Sequence, residues 1–465
     1  MLTYSFENIG SESLYEYLYR RIKEDILSKK LQVGDRLPSK RSFAKHLNIS
    51  VITVESAYSQ LQVEGYIYSI PKKGYFVSDL DQNEFVHKTR HSQTILKQDK
   101  KEPYFVDFAS NTIHPDNFPF PTWTKLMREI IAHEPGENLL TSAPAGGITA
   151  LKHAISEHLY EFRGMSVSPE QIIIGAGTEY IYNLLIQLLG HNNVFAVENP
   201  GYQKISKVYE KNAVSCCHIP MDKDGISVKE LQKSQADIVH LSPSHHFPTG
   251  IVVPISRRYD LLSWASQREN RYIIEDDYDC EFRLYGKPIP TLQSIDVMEK
   301  VIYMNTFTKS LAPSFRIAYM VLPKHLLHIF QHELSFYSCT VSNIEQYTLA
   351  AFIEQGYFEK HINRMRIYYR TKRDKLIKLL KNSTLAPFIT LSEEDSGLHF
   401  LMELKTERTD EELIERARIQ GIRIRCLSQF YYKDTPRKEH ILIVSYAGIE
   451  ETKMEEAVHR LECLL

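Results

Sequence analysis

The sequence has no apolar run long enough to cross a bilayer. Its two longest uncharged stretches, Tyr180 to Val197 and Ile238 to Ser256, are broken by Asn183, Gln187 and Gly190 in one and by Ser242 to His246 and prolines in the other. Both fall short of the roughly 20 apolar residues that a span needs. An excess of charge is also lacking: 56 Lys and Arg face 58 Asp and Glu, which excludes a polybasic coat and makes any nucleic-acid signal local. Cysteine is sparse. The six residues, Cys216, Cys217, Cys280, Cys339, Cys426 and Cys463, include no C-x-x-C pair and read as reduced thiols. The 19 histidines include no H-E-x-x-H, and the H-x₃-H spacings at His87/His91 and His328/His332 lack a cysteine pair, so no metal site is expected. No G-x-x-x-x-G-K-[ST] or G-x-G-x-x-G occurs, which removes a P-loop and a dinucleotide fingerprint. Glu7 and Glu12 stand where a signal peptide would be basic and then apolar, so a cytoplasmic protein without a membrane partner is expected.

What is present is 465 residues with 43% hydrophobic and 25% charged composition, a globular chain too long for one core of about 250–300 residues. The front is a small basic module. Leu14, Tyr17, Leu18, Ile22, Ile26 and Leu27 form an apolar stripe that predicts a helix over about Ser13 to Ser28. Ser39 offers an N-cap to a second helix burying Phe43, Ala44 and Leu47. Ser50 caps a third with Val54, Ala57, Tyr58 and Leu61 inward, ending near Gly65. Tyr66 to Ile70 and Tyr75 to Val77 then flank a Pro71-Lys72-Lys73-Gly74 tip, a two-stranded wing. From Arg20 to Lys73, eleven Lys and Arg face five acids. A plain helical domain with solvated lysines shows the same pattern.

The string L-P-S-K-R-S-F-A-K-H-L-N-I-S-V-I-T-V-E-S-A-Y-S-Q-L-Q-V-E-G-Y, from Leu37 to Tyr66, resembles the GntR-type winged helix over residues 11–79. The resemblance implies double-stranded operator DNA as partner. Ser39, Lys40 and Arg41 would grip phosphates and groove edges, Ser50, Val51 and Thr53 would begin the major-groove helix, and Lys72, Lys73 and Gly74 would form the wing tip. Many members carry Arg where this chain has Val51, so the base read there differs. Residues 80–104 are charged and aperiodic, a tether.

From 105 to 465, short apolar runs at Gln171–Ile174, Val194–Val197, Ile238–Leu241, Tyr272–Ile274, Val301–Met304 and Ala318–Val321 alternate with helical patterns. They predict an α/β domain whose largely parallel sheet ends at a ligand crevice. A smaller α+β lobe is expected from about 324, with a long helix over 347–380 and strands at 398–403, 422–425 and 441–446. Three features cluster at predicted strand ends. Gly175-Ala176-Gly177-Thr178 before a helix offers backbone N–H groups to an anion, though it is equally a tight turn. Glu275, Asp276, Asp277 and Asp279 follow a buried strand. They are open to three readings: solvated acids, a Mg²⁺ site without its P-loop, or one carboxylate, Asp276 by alternation, on a protonated ring nitrogen. Lys309 follows another strand, singly a surface residue, and Arg316 falls in the apolar stretch Phe315–Val321, where an unpaired guanidinium is costly. Together, cup, ring-nitrogen acid, imine lysine and phosphate arginine describe a pyridoxal 5'-phosphate (PLP) site.

The blocks E-N-P-G-Y, S-P-S-H-H-F-P-T-G, Y-I-I-E-D-D-Y-D-C-E-F and T-F-T-K-S-L-A-P-S-F-R-I-A-Y resemble fold-type I aminotransferases. With the front module, the chain resembles the MocR/GabR subfamily of GntR regulators over nearly its full length. The resemblance implies a homodimer with PLP. Lys309 is then the imine lysine, Asp276 the ring-nitrogen partner, Tyr278 a donor to the ring oxygen and Tyr202 the stacking aromatic, with Ala176, Gly177, Thr178, Thr306 and Arg316 on the phosphate. Two departures count against an enzyme: Phe247 stands in the N-P-T-G asparagine position, and Gln429 and Ile443 fill the two slots of a carboxylate-clamping arginine. The expected function is a regulator sensing an amine, an amino acid or PLP itself, without full transamination turnover; the alternative is a working aminotransferase with a DNA-binding appendage. Lys204, Arg423 and Arg425 remain as substitute clamps. Strand alternation puts Arg423 and Arg425 on one face, expected to be solvent, so γ-aminobutyrate and common α-amino acids are expected to bind weakly and Gln429→Arg to strengthen them.

Overall fold

A computed structural model describes residues 2–6, 12–80, 104–110, 115–284, 289–395, 397–432 and 435–465. Most of the tether and the His87/His91 pair lie outside the described residues. The chain divides into two compact units, residues 1–101 and 102–465.

The first unit contains α1 (Leu14–Leu27), α2 (Lys40–Leu47) and α3 (Val51–Val63), followed by β1 (Ile67–Ile70) and β2 (Gly74–Val77). Its helix starts are built as the sequence implies. Ser39 Oγ accepts the N–H of Ser42 at 3.2 Å and Ser50 Oγ that of Thr53 at 3.0 Å, each satisfying a donor the helix cannot. Between α2 and α3, Asn48 takes φ 55°, the left-handed stop that an Asn tolerates. Leu18, Ile22, Phe43, Val54, Ala57, Tyr58 and Leu61 close one core, while Leu14 and Leu27, at the ends of the predicted stripe, are exposed. β1 and β2 pair antiparallel, and Leu37 donates its N–H to Tyr75 O at 2.9 Å, tying the turn before α2 to the wing.

In the second unit, β3 (Val106–Asp107) leads to an eight-stranded sheet. Its strands are β4 (Ile172–Gly175), β5 (Phe195–Asn199), β6 (Cys216–Asp222), β7 (Gly225–Ile226), β8 (Ile238–Leu241), β9 (Tyr272–Asp276), β10 (Val301–Thr306) and β11 (Ala318–Val321), in the order β4-β11-β10-β9-β8-β5-β6-β7. β10, β9, β8, β5 and β6 are parallel neighbours, and β11 runs antiparallel between β10 and β4. The expectation of a largely parallel sheet thus holds with β11 and β7 as exceptions. Because β4 is restored to the common direction, Gly175, Asn199, Leu241, Asp276 and Thr306 all terminate strands at one edge, where an open sheet forms its crevice.

β12 (Ile389–Ser392), β13 (His399–Leu404) and β15 (Ile441–Ser445) form an antiparallel sheet. The predicted strand over 422–425 ends early: β14 (Ile422–Arg423) pairs with β3, so the lobe draws in the residues that open the unit. The long predicted helix is two, Asn343–Glu354 and Tyr357–Lys381, divided at Gly356, whose φ of 72° interrupts a helix.

Candidate functional site

A cavity of about 620 Å³ opens at these strand ends. Thr178, Tyr202, Asp276, Tyr278, Thr306, Lys309 and Arg316 all line it, together with Arg425 and Ser445 from the small lobe. Seven of the nine residues assigned to the cofactor therefore meet in one place.

Asp276 ends β9, almost wholly buried. Its Oδ2 accepts the hydroxyl of Tyr182 at 2.8 Å and lies 3.5 Å from His240 Nε2, whereas its Oδ1 has no partner. A buried carboxylate oxygen left unpaired is costly and asks for a donor. Tyr209 in turn bonds His240 Nδ1 at 2.6 Å, so the carboxylate is braced from behind. Burial, aided by the Asp276 charge, pushes the Tyr182 phenol well above its usual range and keeps it a donor. Tyr182, one turn beyond Thr178 on the helix Thr178–Leu189, and His240 on β8 escaped sequence reasoning, because neither belongs to a strand-end motif.

Lys309 sits on the one-turn helix Phe307–Ser310 that follows β10. Burial lowers its amine from the ordinary lysine value, against the charge of Asp279, which favours the neutral, nucleophilic form. Tyr278 Oη lies 3.3 Å from His245 Nδ1, a nitrogen that also meets Asp279 at 2.8 Å. Tyr202 is 44% exposed at the cavity mouth and meets Phe247 edge-on at 6.0 Å between centroids.

The anion cup differs from its sequence outline. Ala176 gives its N–H to Thr340 Oγ1 at 2.9 Å and Gly177 gives its own to Gly175 O at 2.9 Å, so these two backbone donors are spent. Thr178, Thr306, Thr308 and Arg316 form the wall instead, with the Thr306 and Thr308 hydroxyls 2.7 Å apart. Gly177 has φ 90°, and a Cβ there would collide with the Arg316 guanidinium. Arg316 precedes β11 rather than lying in it. Its side chain is half exposed and paired with Glu179, so the buried unpaired charge inferred from the apolar stretch does not exist. Burial works to raise the Glu179 carboxyl, but the Lys204 hydrogen bond and the Arg316 charge prevail and hold it at about 2.

Deeper in the same wall, Glu198 Oε2 accepts the Ser242 N–H at 3.0 Å and lies 3.4 Å from His246 Nε2, while Oε1 is unpartnered. Burial pushes Glu198 up to about 8 and His246 down to about 3, so both are neutral near pH 7. Of the clamp slots, Ile443 is buried in an apolar cluster with Leu401 and Phe430, and Gln429 is exposed with its Oε1 accepting the Cys426 N–H at 3.2 Å. The paired fate expected for Arg423 and Arg425 is overturned, because β14 ends between them. Arg423 meets Asp107 at 3.2 Å, while Arg425 lines the cavity.

On the first unit, Arg41, Lys72, Lys73 and Ser39 are exposed, as are Ser50 and Val51 at the start of α3, with Thr53 and Gly74 half-buried. The wing tip turns through Lys72 at φ 62° and Gly74 at φ 115°. Lys40 is not a free cation: its ammonium pairs with Glu55 at 2.6 Å and lies 5.3 Å from the Tyr75 ring centre. Among the described residues, no group of three or more His, Cys, Asp or Glu is placed to hold a metal, and no helix is long and apolar enough to cross a membrane.

Fold and site together define a winged helix carried on an aminotransferase-like domain. Residues 14–77 match the bacterial regulatory proteins of the gntR family, and residues 104–461 match aminotransferase class I and II. The chain belongs to the MocR-like HTH-type transcriptional regulators, which join these two domains. It is 39% identical to the uncharacterized HTH-type transcriptional regulator YdeL of Bacillus subtilis, over 97% of this chain and 96% of that one. It is 36% identical to YhdI of the same organism, over 97% and 95%. To the probable rhizopine catabolism regulatory protein MocR of Rhizobium meliloti it is 30% identical, over 96% and 93%. Among solved structures, the kynurenine aminotransferase of Pyrococcus horikoshii superposes with a TM-score of 0.68 at 24% identity, covering 78% of this chain and 91% of that one, a likeness of fold.

Proposed function

We propose that this transcriptional regulator binds PLP through Lys309 and uses it, as a homodimer on operator DNA, to sense a small amine, an amino acid or PLP itself. The observation that carries this reading is the unpartnered Oδ1 of Asp276 in the same cavity as the buried Lys309 amine. When bound, PLP supplies an aldehyde that accepts primary amines and a ring that withdraws electrons. Lys309 would hold it covalently at the aldehyde carbon, and Asp276 Oδ1 would hold a proton at the ring nitrogen. Tyr278 would donate to the ring oxygen, and Tyr202 would cover one ring face. Thr178, Thr306 and Arg316, with the Gly177 bend, would take the phosphate, and Arg316 would exchange Glu179 for it. Ile443, sealed under Phe430 and Phe247, offers no group to orient an α-carboxylate for turnover.

On DNA, the first unit would place α3 in the major groove and the wing tip toward the minor groove, with Arg41, Lys72 and Lys73 on phosphates. Effector binding and DNA binding are then linked, and whatever factor the effector changes in DNA affinity, DNA returns in effector affinity. The test is to measure DNA affinity of the full-length protein, on a sequence selected from random duplexes, with and without PLP and then with candidate amines. DNA binding that ignores both PLP and every amine would refute the sensor.

A further inference from the structure

Across from Ile443, in the slot where a clamping arginine is missing, stands an arginine. Arg425 accepts the Ile443 N–H on its carbonyl at 2.9 Å, so the two residues are backbone neighbours. Their side chains part. Ile443 enters the apolar cluster with Leu401 and Phe430, while Arg425 lines the cavity, half-buried, with its guanidinium carbon 5.5 Å from the Phe430 ring centre. Of the other cations on this wall, Lys204 and Arg316 share Glu179, whereas Lys207 is a solvent-exposed lysine on the helix Gln203–Lys211. Arg423, outside the cavity, has Asp107. The Arg425 guanidinium has no hydrogen bond or ion pair among the described residues. A guanidinium partly withdrawn from water, set over an aromatic ring and lining the cavity with no ion-pair partner of its own, is an anion receptor. Its flat fork of donors matches a carboxylate best. Phe430, Phe247 and Tyr202 meet in series at 5.3 and 6.0 Å between centroids and make the adjoining surface apolar.

We propose that Arg425 is the anion-recognition residue of the effector site, and that the effector is a primary amine carrying a carboxylate. This rests on the sensor reading above, and it reverses the sequence expectation that amino acids bind weakly. Arg425 stands in for the missing arginine from the backbone neighbour of Ile443, so an acid group extending from Lys309 is read from a displaced point. Amines that place the acid differently will therefore differ in affinity.

The experiment titrates the PLP-loaded full-length protein, following the cofactor absorption band and the heat of binding. The probes are common α-amino acids, 3-aminopropionate, 4-aminobutyrate and an aminoalkylsulfonate, each beside the amine of the same length without the acid. At least one carboxylate-bearing probe is expected to bind about 10-fold or more tightly than its acid-free partner. That preference should vanish in Arg425→Gln, return in part in Arg425→Lys, and be unaffected in Arg423→Gln. Sulfonate binding that exceeds carboxylate binding and also depends on Arg425 would overturn the carboxylate assignment. If acid-free amines bind equally well, or the preference survives Arg425→Gln in protein that still holds PLP, the role of Arg425 is refuted and the sensor stands. If no amine of either kind perturbs the band or releases heat, the amine-sensor reading falls with it.

Discussion

Tyr182 donates its hydroxyl to one oxygen of Asp276 across 2.8 Å and leaves the other oxygen bare. The bond does two things. It fixes the plane of the carboxylate, and it leaves one oxygen of Asp276 unsatisfied on the wall of the cavity that Lys309 also lines. A charge-assisted bond to a ring N–H contributes roughly 1.5–3 kcal/mol, so Asp276→Asn should weaken PLP binding about 10- to 100-fold. Tyr182→Phe removes only the brace and should cost about fivefold. Equilibrium dialysis of PLP against the variants measures both. Unchanged affinity in Asp276→Asn would remove Asp276 from the site.

Lys309→Ala should leave no pyridoxyl group attached after borohydride reduction, as read by intact-mass spectrometry. Retention at full stoichiometry would put the cofactor on another lysine. Burial lowers the Lys309 amine, so the folded apoprotein releases this proton at a pH where the unfolded chain, near about 10.4, still binds it. The neutral amine is therefore available at lower pH than in free lysine. The rate at which apoprotein takes up PLP should rise with pH to a midpoint below that ordinary value, and a midpoint at or above it would contradict the assignment.

Glu198 gives stability an unusual sign. Its carboxyl is raised to about 8 in the fold from an ordinary value near 4.5, so between these values the folded state holds a proton that the unfolded state has lost. Stability from this group is complete below the lower value and drains away as pH rises through the upper one. His246 acts oppositely and lower down: it is neutral in the fold above about 3, and its contribution is complete above its ordinary 6.5. Raising pH from about 7 to about 8 isolates Glu198 and should cost the native protein about 1 kcal/mol relative to Glu198→Gln. Denaturant unfolding of both proteins at the two pH values reads the difference, and parallel behaviour would show that Glu198 is ionised throughout.

On the DNA side, Arg41→Ala, Lys72→Ala and Lys73→Ala should each weaken binding to every sequence and flatten the salt slope by up to about 0.9. Lys40→Ala should do less, because its ammonium is committed to Glu55. By the same logic, Glu55→Gln should tighten binding and steepen the slope. Fluorescence anisotropy across a salt series tests all five together; an equal loss from Lys40→Ala and Lys73→Ala would show that DNA displaces Glu55 without cost.

The winged helix was legible almost to the residue, because its signals are local. Caps at Ser39 and Ser50, apolar spacing in three helices and a Gly74 turn act within a few residues of themselves. Strand ends carrying Asp276 and Lys309 were legible for a related reason, since buried strands announce themselves as apolar runs and the chemistry follows directly. The direction of β11 was not, because an apolar run has no polarity and a short link such as the one from Lys309 to Ala318 also permits reversal. Nor was the true state of Arg316: the apolar stretch hid that β11 begins only at Ala318, which leaves the guanidinium at the surface against Glu179.

By itself, the amino-acid order determined the two domains' types, the helix and strand periods, and which residue types stand at strand ends. These depend on backbone hydrogen bonding and on burial patterns repeated every two or about 3.6 residues. Only the tertiary structure decided which of those ends share a cavity and which polar atoms remain unanswered inside it. Asp276 Oδ1 is bare because the Tyr182 hydroxyl, arriving from another element, bonds the other oxygen, which is also the one nearer His240. Arg425 faces the cavity because β14 stops at Arg423 to pair with β3, more than three hundred residues earlier in the chain. Such outcomes depend on partners distant in sequence, and no local period encodes them.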